Sequence, residues 1–254
     1  MTSRALKWVA IITMTLDHLG LYLITDGLPI LDALGYPNVS AASRETWFLT
    51  LTILLRGLGR MAFPLFAFFI AEGMRHTRSR KRYAMRIFAF ALFVEVCFLV
   101  YYFISGISFN IHQNVFWVLL FGMAAITLLE SPKRWMAIFG FLLIPLGDII
   151  GFSYGGYGIA WVMIFYFVTD KKQILLYSFI VNLFYISYPL ALVTEYASKY
   201  DGPLAAIQWF SMLSLIPIFF YNGKKGTMKS WFFYLYYPLH LAVILGVAFL
   251  LGVM

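Results

Sequence analysis

Charged residues and cysteine are both scarce in this chain. Charged side chains make up 12% of the residues and hydrophobic ones 62%, whereas a soluble domain carries about 25% charged residues. The single cysteine, Cys97, excludes an internal disulfide and a cysteine-rich metal site. This composition excludes an ordinary soluble protein and predicts a polytopic membrane protein.

Several motifs of soluble enzymes are also missing. The sequence contains no HExxH, CxxC or Asp-rich metal pattern and no GxSxG elbow, and its glycines match neither GxGxxG nor a P-loop. The four histidines are dispersed, so a zinc site built from His18 and His240 has weak support. We expect no metal and no nucleotide bound through these motifs.

Apolar runs of membrane-spanning length are abundant. A helix needs about 20 mostly apolar residues to cross a bilayer. Nine segments can be drawn, at about 6–25, 47–74, 84–104, 114–129, 136–150, 157–169, 174–194, 205–221 and 231–253. The fifth and sixth are short and interrupted by glycine and proline, so we expect them to be broken or tilted. We predict an all-α polytopic integral membrane helix bundle of about nine transmembrane helices, forming a single domain over residues 1–254.

The first apolar run predicts a retained N-terminus rather than a cleaved signal peptide. Asp17 and His18 lie at its centre, and no small-residue cleavage site follows it. The net charge of +8 also follows from membrane topology, because fifteen of the nineteen basic residues lie in alternate short loops. By the positive-inside rule the N-terminus is cytoplasmic and the C-terminus outside. We therefore expect a lipid bilayer and no nucleic acid as the surroundings of the protein.

Two arginines lie inside the second apolar segment. Arg56 and Arg60 are four residues apart, where each costs roughly 2.5 to 3.5 kcal/mol even on the lenient insertion scale. Such residues face a polar cavity or a partner of opposite charge. Asp17 lies at a depth similar to that of Arg60, and Glu95 in the third segment is the competing partner. The alternatives are neutralisation by a carboxylate, or binding of an anionic group or oxyanion.

Two histidines are expected near the middle of the bilayer. His18 follows Asp17, and because adjacent helical residues do not face each other, one should bind a neighbouring helix while the other lines a cavity. His240 lies in the last segment, two residues after Pro238. Imidazole is a suitable proton acceptor at neutral pH, whereas a purely structural hydrogen bond is the alternative for each residue. Pro64 should kink the second segment.

Other polar residues lie towards the two membrane faces. Glu72, Arg75, His76 and Arg78 form a cytoplasmic cluster that could hold phosphate groups or, alternatively, set topology and contact anionic lipid. Towards the outside lie His112, Asp148 and the glycine-rich stretch that contains Tyr157. The turn YNGKKG contributes three further cytoplasmic polar residues, namely Asn222, Lys224 and Lys225.

These segments, in this order, resemble the TraX family, which is named for a membrane acetyltransferase that N-acetylates conjugative pilin. The matching blocks are LKWVAIITMTLDHLG, LRGLGRMAFPLFAFFIAEGMRHTRSRKRYAMR, NVFWVLLFG, YGIAWV and FFYNGKKG followed by FFYLYYPLHL. They extend over essentially the whole chain. That family is similar to multi-span acyltransferase-3 proteins and to the lysosomal heparan glucosaminide acetyltransferase.

The resemblance implies a multi-pass acyltransferase of the bacterial inner membrane that moves an acetyl group from cytoplasmic acetyl-CoA to an amine or hydroxyl. The acceptor would be a pilin-like protein, glycan or lipid at or beyond the outer face. The resemblance places the intramembrane histidine at His18. We expect Asp17, His18, Arg60 and His240 to be catalytic. Substrate would be bound by Arg56, Glu95, Asp148 and Tyr157, and CoA by Glu72, Arg75, His76, Arg78, Asn222, Lys224 and Lys225.

Two other classes of function remain open at this point. A transporter or proton-coupled carrier would also use buried charges and short, interrupted spans. No inverted repeat is evident between the two halves of the sequence. A non-catalytic scaffold of a secretion or conjugation complex would leave the buried titratable residues unexplained.

Overall fold

The computed structural model describes residues 1–24, 29–105, 114–186, 202–224, 226–228 and 230–252. Within these ranges the chain is helical and contains no β-strand. Two residues singled out above, His112 and Lys225, lie outside the described residues. The predicted all-α class is therefore confirmed for the part of the chain that the structure describes.

Eleven α-helices and one 3₁₀ helix make up the described chain. They are α1 (Ser3–Leu23), α2 (Pro29–Ala33), α3 (Ala41–Gly59), α4 (Ala62–His76), α5 (Arg80–Ser105), α6 (Val115–Leu129), α7 (Trp135–Ile150), α8 (Gly155–Phe167), α9 (Lys171–Ile186), the 3₁₀ helix Gly202–Ser214, α10 (Leu215–Phe219) and α11 (Ser230–Leu250). Apart from the short α2, each of these elements overlaps one of the apolar segments of the sequence.

Three helical segments of the described chain are long and apolar enough to cross a membrane. They are Ala41–His76, Arg80–Phe103 and Phe232–Leu250. Four shorter apolar helices lie at Val115–Leu129, Trp135–Ile150, Gly155–Phe167 and Ala206–Phe219. The three long segments are consistent with a membrane-associated protein. Nine spans and the orientation of the termini stay predictions.

Pro64 explains why the second apolar segment forms two helices. The helix is interrupted at Arg60 and Met61, between α3 and α4. A proline has no backbone N–H, and its ring clashes with the carbonyl four residues earlier, which here belongs to Arg60. The interruption therefore lies where the proline ring disrupts the hydrogen-bond ladder, and Pro64 itself lies in the first turn of α4, where proline is tolerated.

The chain divides into two compact units. The first comprises Met1–Leu65 with Tyr200–Met254, and the second Phe66–Lys199. In the first unit α1 packs against both α3 and α11, and α3 also contacts the 3₁₀ helix. The central position of α1 brings the polar residues of three helices together.

In the second unit α6, α7 and α8 pack on one another, while α5 lies against α6 and α9 against α8. Its core includes Tyr157, Trp161 and Phe165, which belong to α8 and are almost completely buried. On α5, by contrast, large apolar residues such as Phe93 and Phe103 are exposed. An apolar surface of this kind is typical of a helix that faces lipid or a partner.

Candidate functional site

Two histidines form a hydrogen-bonded pair in the first unit. Nδ1 of His18, on α1, lies 2.8 Å from Nε2 of His240, on α11. Nδ1 of His240 lies 2.9 Å from the carbonyl oxygen of Tyr236, one helical turn earlier. His240 is buried and His18 half-buried. The residues that the sequence placed at similar depth are thus in direct contact.

The hydrogen bonds assign the proton positions of a neutral pair. A carbonyl oxygen can only accept, so Nδ1 of His240 carries a hydrogen and its Nε2 is the acceptor. His18 must then donate from Nδ1, which leaves the lone pair of His18 on Nε2. Among the described residues, Nε2 of His18 makes no hydrogen bond. This nitrogen is the one that can accept a proton from a reacting group.

Tyr236 holds the pair from the side of α11. Its ring stacks on that of His240 with centroids 5.0 Å apart, and its hydroxyl lies 2.7 Å from the Thr15 hydroxyl on α1. Thr15 donates to the carbonyl of Ile11, so the Tyr236 hydroxyl is the donor in the bond between α11 and α1. The orientation of His240 therefore depends on a contact between the same two helices.

Asp17 is paired with both Arg56 and Arg60. Its Oδ1 accepts a hydrogen bond from Nη2 of Arg60 and lies 3.8 Å from Nε of Arg56. All three side chains are largely removed from solvent. Two guanidinium groups and one carboxylate leave a net charge of +1 beside His18, which follows Asp17 in sequence. The sequence left Asp17 and Glu95 as competing partners of Arg60, and the structure shows the contact with Asp17.

Two glycines allow α1 and α3 to approach closely at this point. A Cβ on Gly59 would lie 2.6 Å from Cα of Asp17, and one on Gly20 would lie 2.6 Å from Cγ of Arg56. Contacts shorter than 3.0 Å require something to move. The ion-paired group of Asp17, Arg56 and Arg60 can form because neither helix carries a side chain at these positions.

A model of one protein family matches the sequence over nearly its whole length. The family model described as "TraX protein" matches residues 2–248. This chain belongs to the TraX family. It is also 25% identical over 258 residues to the probable fimbrial assembly protein FimC, serogroup H1, of Dichelobacter nodosus, covering 94% of this chain and 92% of that protein. No solved structure matches the chain significantly.

The cluster of this TraX protein that is predicted to be cytoplasmic is partly engaged in internal contacts. Nη2 of Arg75 donates to the carbonyl oxygens of Phe165 and Tyr166, at 2.7 and 2.6 Å, and Nη1 donates to Glu72 at 3.0 Å. Arg75 therefore caps the C-terminal end of α8. His76 and Arg78 are exposed, and His76 lies 3.5 Å from Glu72. Binding of CoA phosphates by this cluster stays a prediction. The exposed His76 and Arg78 are the residues that would contact them.

Glu130 links three elements at the same end of this unit. It accepts hydrogen bonds from Arg80 at the start of α5 and from Tyr166 at the end of α8. Burial favours the neutral acid, but these two hydrogen bonds and the charge of Arg80 outweigh burial and hold the pKa of Glu130 below its ordinary value.

The turn after α10 pairs with the N-terminal residues. The backbone N–H of Asn222 donates to the carbonyl of Met1, and that of Ser3 donates to the carbonyl of Lys224, both at 3.0 Å. The Asn222 side chain accepts from the N–H of Lys224 at 3.1 Å. The predicted role of Asn222 and Lys224 in binding CoA is not tested by these contacts, which show only that the turn is held in place.

Asp148 and Tyr157 make different hydrogen bonds in the second unit. Asp148 accepts from the backbone N–H of Gly156 at 2.7 Å and from the Tyr185 hydroxyl at 3.0 Å. The Tyr157 hydroxyl donates to Asn182 at 3.3 Å. Asp148 thereby ties the end of α7 to the start of α8 and to α9. Their predicted role in binding substrate stays a prediction.

Sequence reasoning did not single out Tyr236, Asn114 or Trp117, which contact the predicted residues directly. A signal existed for Tyr236, because residues four apart lie on one helical face and Tyr236 precedes His240 by four. No comparable signal exists for Asn114 and Trp117, which contact Glu95 from another helix. In the described part of the chain no group of three or more metal-ligating side chains occurs.

Proposed function

We propose that this TraX protein is a membrane acyltransferase in which Nε2 of His18 removes the proton of the acceptor. The observation that carries this proposal is the hydrogen bond between His18 and His240, since it leaves Nε2 as the basic atom of His18. Acetyl-CoA, supplied from the cytoplasm, is the proposed donor. The acceptor is an amine or hydroxyl.

The reaction replaces the carbon–sulfur bond of the thioester with a carbon–nitrogen or carbon–oxygen bond, and the proton that the acceptor loses passes through His18 to the CoA thiolate. The acceptor nitrogen or oxygen attacks the thioester carbonyl carbon, and the carbon–sulfur bond breaks as CoA leaves as a thiolate. The proton lost by the acceptor moves to Nε2 of His18. Acceptance of this proton makes the ring an imidazolium, and the hydrogen bond from its Nδ1–H to His240 distributes part of the charge.

The neighbouring arginines supply the electrostatic part of the proposal. Asp17, Arg56 and Arg60 together carry one net positive charge in a largely buried setting. Negative charge develops on the thioester oxygen during attack, and preorganised positive groups stabilise such charge most strongly where water is excluded. We assign Arg60 to this oxygen and Arg56 to an anionic group of the acceptor.

The comparisons bear on the identity of the acceptor. The relative from Dichelobacter nodosus is described as a fimbrial assembly protein, and the chain belongs to the TraX family. We therefore propose a fimbrial or pilin-like subunit as the acceptor. The acetyl group would be delivered at or beyond the outer face of the bilayer that holds the enzyme.

The test is transfer of a heavy acetyl label. Membranes containing the wild-type protein, the His18→Gln variant or the His240→Gln variant are incubated with ¹³C-acetyl-CoA and an envelope fraction, and labelled proteins are identified by mass spectrometry. We expect His18→Gln to lower the rate by about 10²–10⁴. His240→Gln should lower it less and alter its pH profile, because it removes only the group that orients His18.

Binding of the donor provides the second measurement. His18→Gln should retain CoA-dependent thermal stabilisation, since the imidazole acts in the proton transfer. Thr46→Val is the control, because Thr46 is exposed and, among the described residues, its hydroxyl bonds only to the carbonyl of Ala42. Unchanged transfer by a folded His18→Gln protein would remove His18 from the mechanism. Failure of the wild type to bind CoA or to incorporate label would refute acyl transfer itself.

A further inference from the structure

Glu95 is a buried carboxylate of the second unit. It belongs to α5, within the apolar candidate span Arg80–Phe103, and its residue is only 8% exposed. Both of its hydrogen bonds are made to one oxygen: Nδ2 of Asn114 donates to Oε2 at 2.8 Å, and Nε1 of Trp117 donates to Oε2 at 3.0 Å. The donors are neutral.

Asn114 is held rigidly in this arrangement. Its Nδ2 also donates to the carbonyl of Ala91 at 2.8 Å, and its Oδ1 accepts from the N–H of Phe116 at 3.2 Å, which caps the start of α6. Both Nδ2 hydrogens of Asn114 are therefore used, and its bonds to α5 and α6 hold the amide against Glu95. The positions of both carboxylate oxygens are set by the backbone of α5 and the start of α6.

The second oxygen, Oε1, has a different environment. Across the described ranges it accepts no hydrogen bond, and no lysine, arginine or histidine there lies within ion-pair distance of Glu95. Neutral donors solvate a carboxylate but do not cancel its charge, and an uncompensated charge in an apolar span is costly. The geometry therefore favours a positively charged ligand at Oε1.

The surroundings favour one class of cation. A guanidinium group binds best to both carboxylate oxygens at once, but Oε2 already accepts two hydrogen bonds. A metal ion would need several ligands, and the described residues offer no cluster of them here. A primary ammonium needs no second oxygen, because it can donate one N–H to Oε1 alone.

We propose that Glu95, Asn114 and Trp117 form a binding site for a primary alkylammonium group. The apolar neighbours on α5 suit the alkyl part of such a ligand, since Val94 and Phe98 are buried and Leu92 and Val96 are exposed towards the surface of this unit. The proposal stands without acyl transfer, because it concerns binding at a carboxylate that the proposed mechanism does not use.

The experiment observes Trp117 directly. The full-length protein in detergent is labelled with 5-fluorotryptophan, and the resonance of Trp117 among the seven tryptophans is assigned with Trp117→Phe. Hexylammonium is titrated against hexanol, which has the same alkyl chain without the charge. We expect a saturable ¹⁹F shift of Trp117 with hexylammonium only.

Glu95→Gln keeps the shape of the side chain and an oxygen for the Asn114 and Trp117 donors. It should weaken hexylammonium binding at least about tenfold, as loss of one charge-assisted hydrogen bond predicts. Glu45→Gln, at an exposed position of α3, is the matched control and should bind as the wild type does.

Three results would overturn the proposal: no shift of the Trp117 resonance in the wild type, an equal shift with hexanol, or unchanged affinity in Glu95→Gln. The first two are measured on the wild type, so the proposal stays testable if the variant does not fold. Failure of acetyl transfer would leave this result unaffected.

Discussion

Asp17 and Asp32 both pair with arginine, but in different surroundings. The side chain of Asp17 is 13% exposed and contacts two arginines inside the helix packing, whereas that of Asp32 is 51% exposed and contacts Arg44. Removing one partner of a buried ion pair leaves the other charge uncompensated. Replacing aspartate by asparagine should therefore destabilise the protein more at Asp17 than at Asp32.

We expect Asp17→Asn to destabilise the protein by about 3–5 kcal/mol, because Arg56 and Arg60 would stay buried without their carboxylate. Asp32→Asn should leave the unfolding midpoint close to that of the wild type. Unfolding of both variants in the same detergent, followed by circular dichroism, measures the difference. Equal loss in the two variants would argue against the ion-paired group.

The stability that Glu130 contributes should depend on pH. Its pKa is lowered in the folded protein, so the stability that it contributes is complete above the ordinary glutamate pKa of about 4.3 and is lost as the pH falls through the lower folded value. We expect Glu130→Gln to be less stable than the wild type at about pH 7, by roughly 0.2–1 kcal/mol.

The difference between Glu130→Gln and the wild type should shrink as the pH falls below about 4. Thermal unfolding across this pH range measures it, and Glu45→Gln reports the effect of one lost charge at an exposed position. A difference that persisted in acid would mean that packing rather than ionisation of Glu130 is responsible.

At the scale of elements, glycine determines how closely α1 and α3 approach. The Cβ of an alanine at Gly59 would meet the backbone of Asp17, which cannot move aside as the end of a flexible side chain can. We expect Gly59→Ala to destabilise the protein by about 1–3 kcal/mol and to lower acetyl transfer, since it displaces Asp17 from Arg60.

Gly246 is the matched control for Gly59. It lies in α11, where an added Cβ would meet nothing within 4 Å. Gly246→Ala should therefore be neutral, or stabilising by up to about 1 kcal/mol through helix propensity. Comparing the unfolding midpoints of the two variants separates close packing from helix propensity. A destabilised Gly246→Ala protein would show that the propensity argument fails here.

Much at the element scale was predictable from sequence. Apolar runs predicted the positions of the long helices, because hydrophobicity over about 20 residues is a local property. Pro64 predicted the disturbance of the second segment, because its steric effect reaches only four residues back. The 3₁₀ geometry of Gly202–Ser214 carried no comparable signal.

At the scale of the whole molecule, the charge distribution predicts membrane orientation. We expect the segment after α6, with Lys133 and Arg134, to face the cytoplasm, and the first turn of α3, with Arg44, to face the outside. Single cysteines at Ser131 and Ser43, introduced into a Cys97→Ala protein, would test this with a membrane-impermeant maleimide on intact cells.

We expect the cysteine at position 43 to be labelled in intact cells and that at position 131 only after permeabilisation. Labelling of both in the permeabilised sample is the control for accessibility. The reverse pattern would contradict the positive-inside interpretation, and it would also place cytoplasmic acetyl-CoA on the wrong side for the proposed CoA-binding residues.

Composition, apolar segment lengths and motif order were sufficient, by themselves, to indicate a helical membrane-associated chain of the TraX family. These properties are local or depend only on order along the chain. The contact between His18 and His240 joins residues separated by 222 positions, and the helices that carry them are apolar on nearly every face. Such helices do not encode in sequence which side meets which neighbour. Only tertiary packing decided that Asp17 meets Arg60, that His240 orients His18, and that Nε2 of His18 keeps its lone pair.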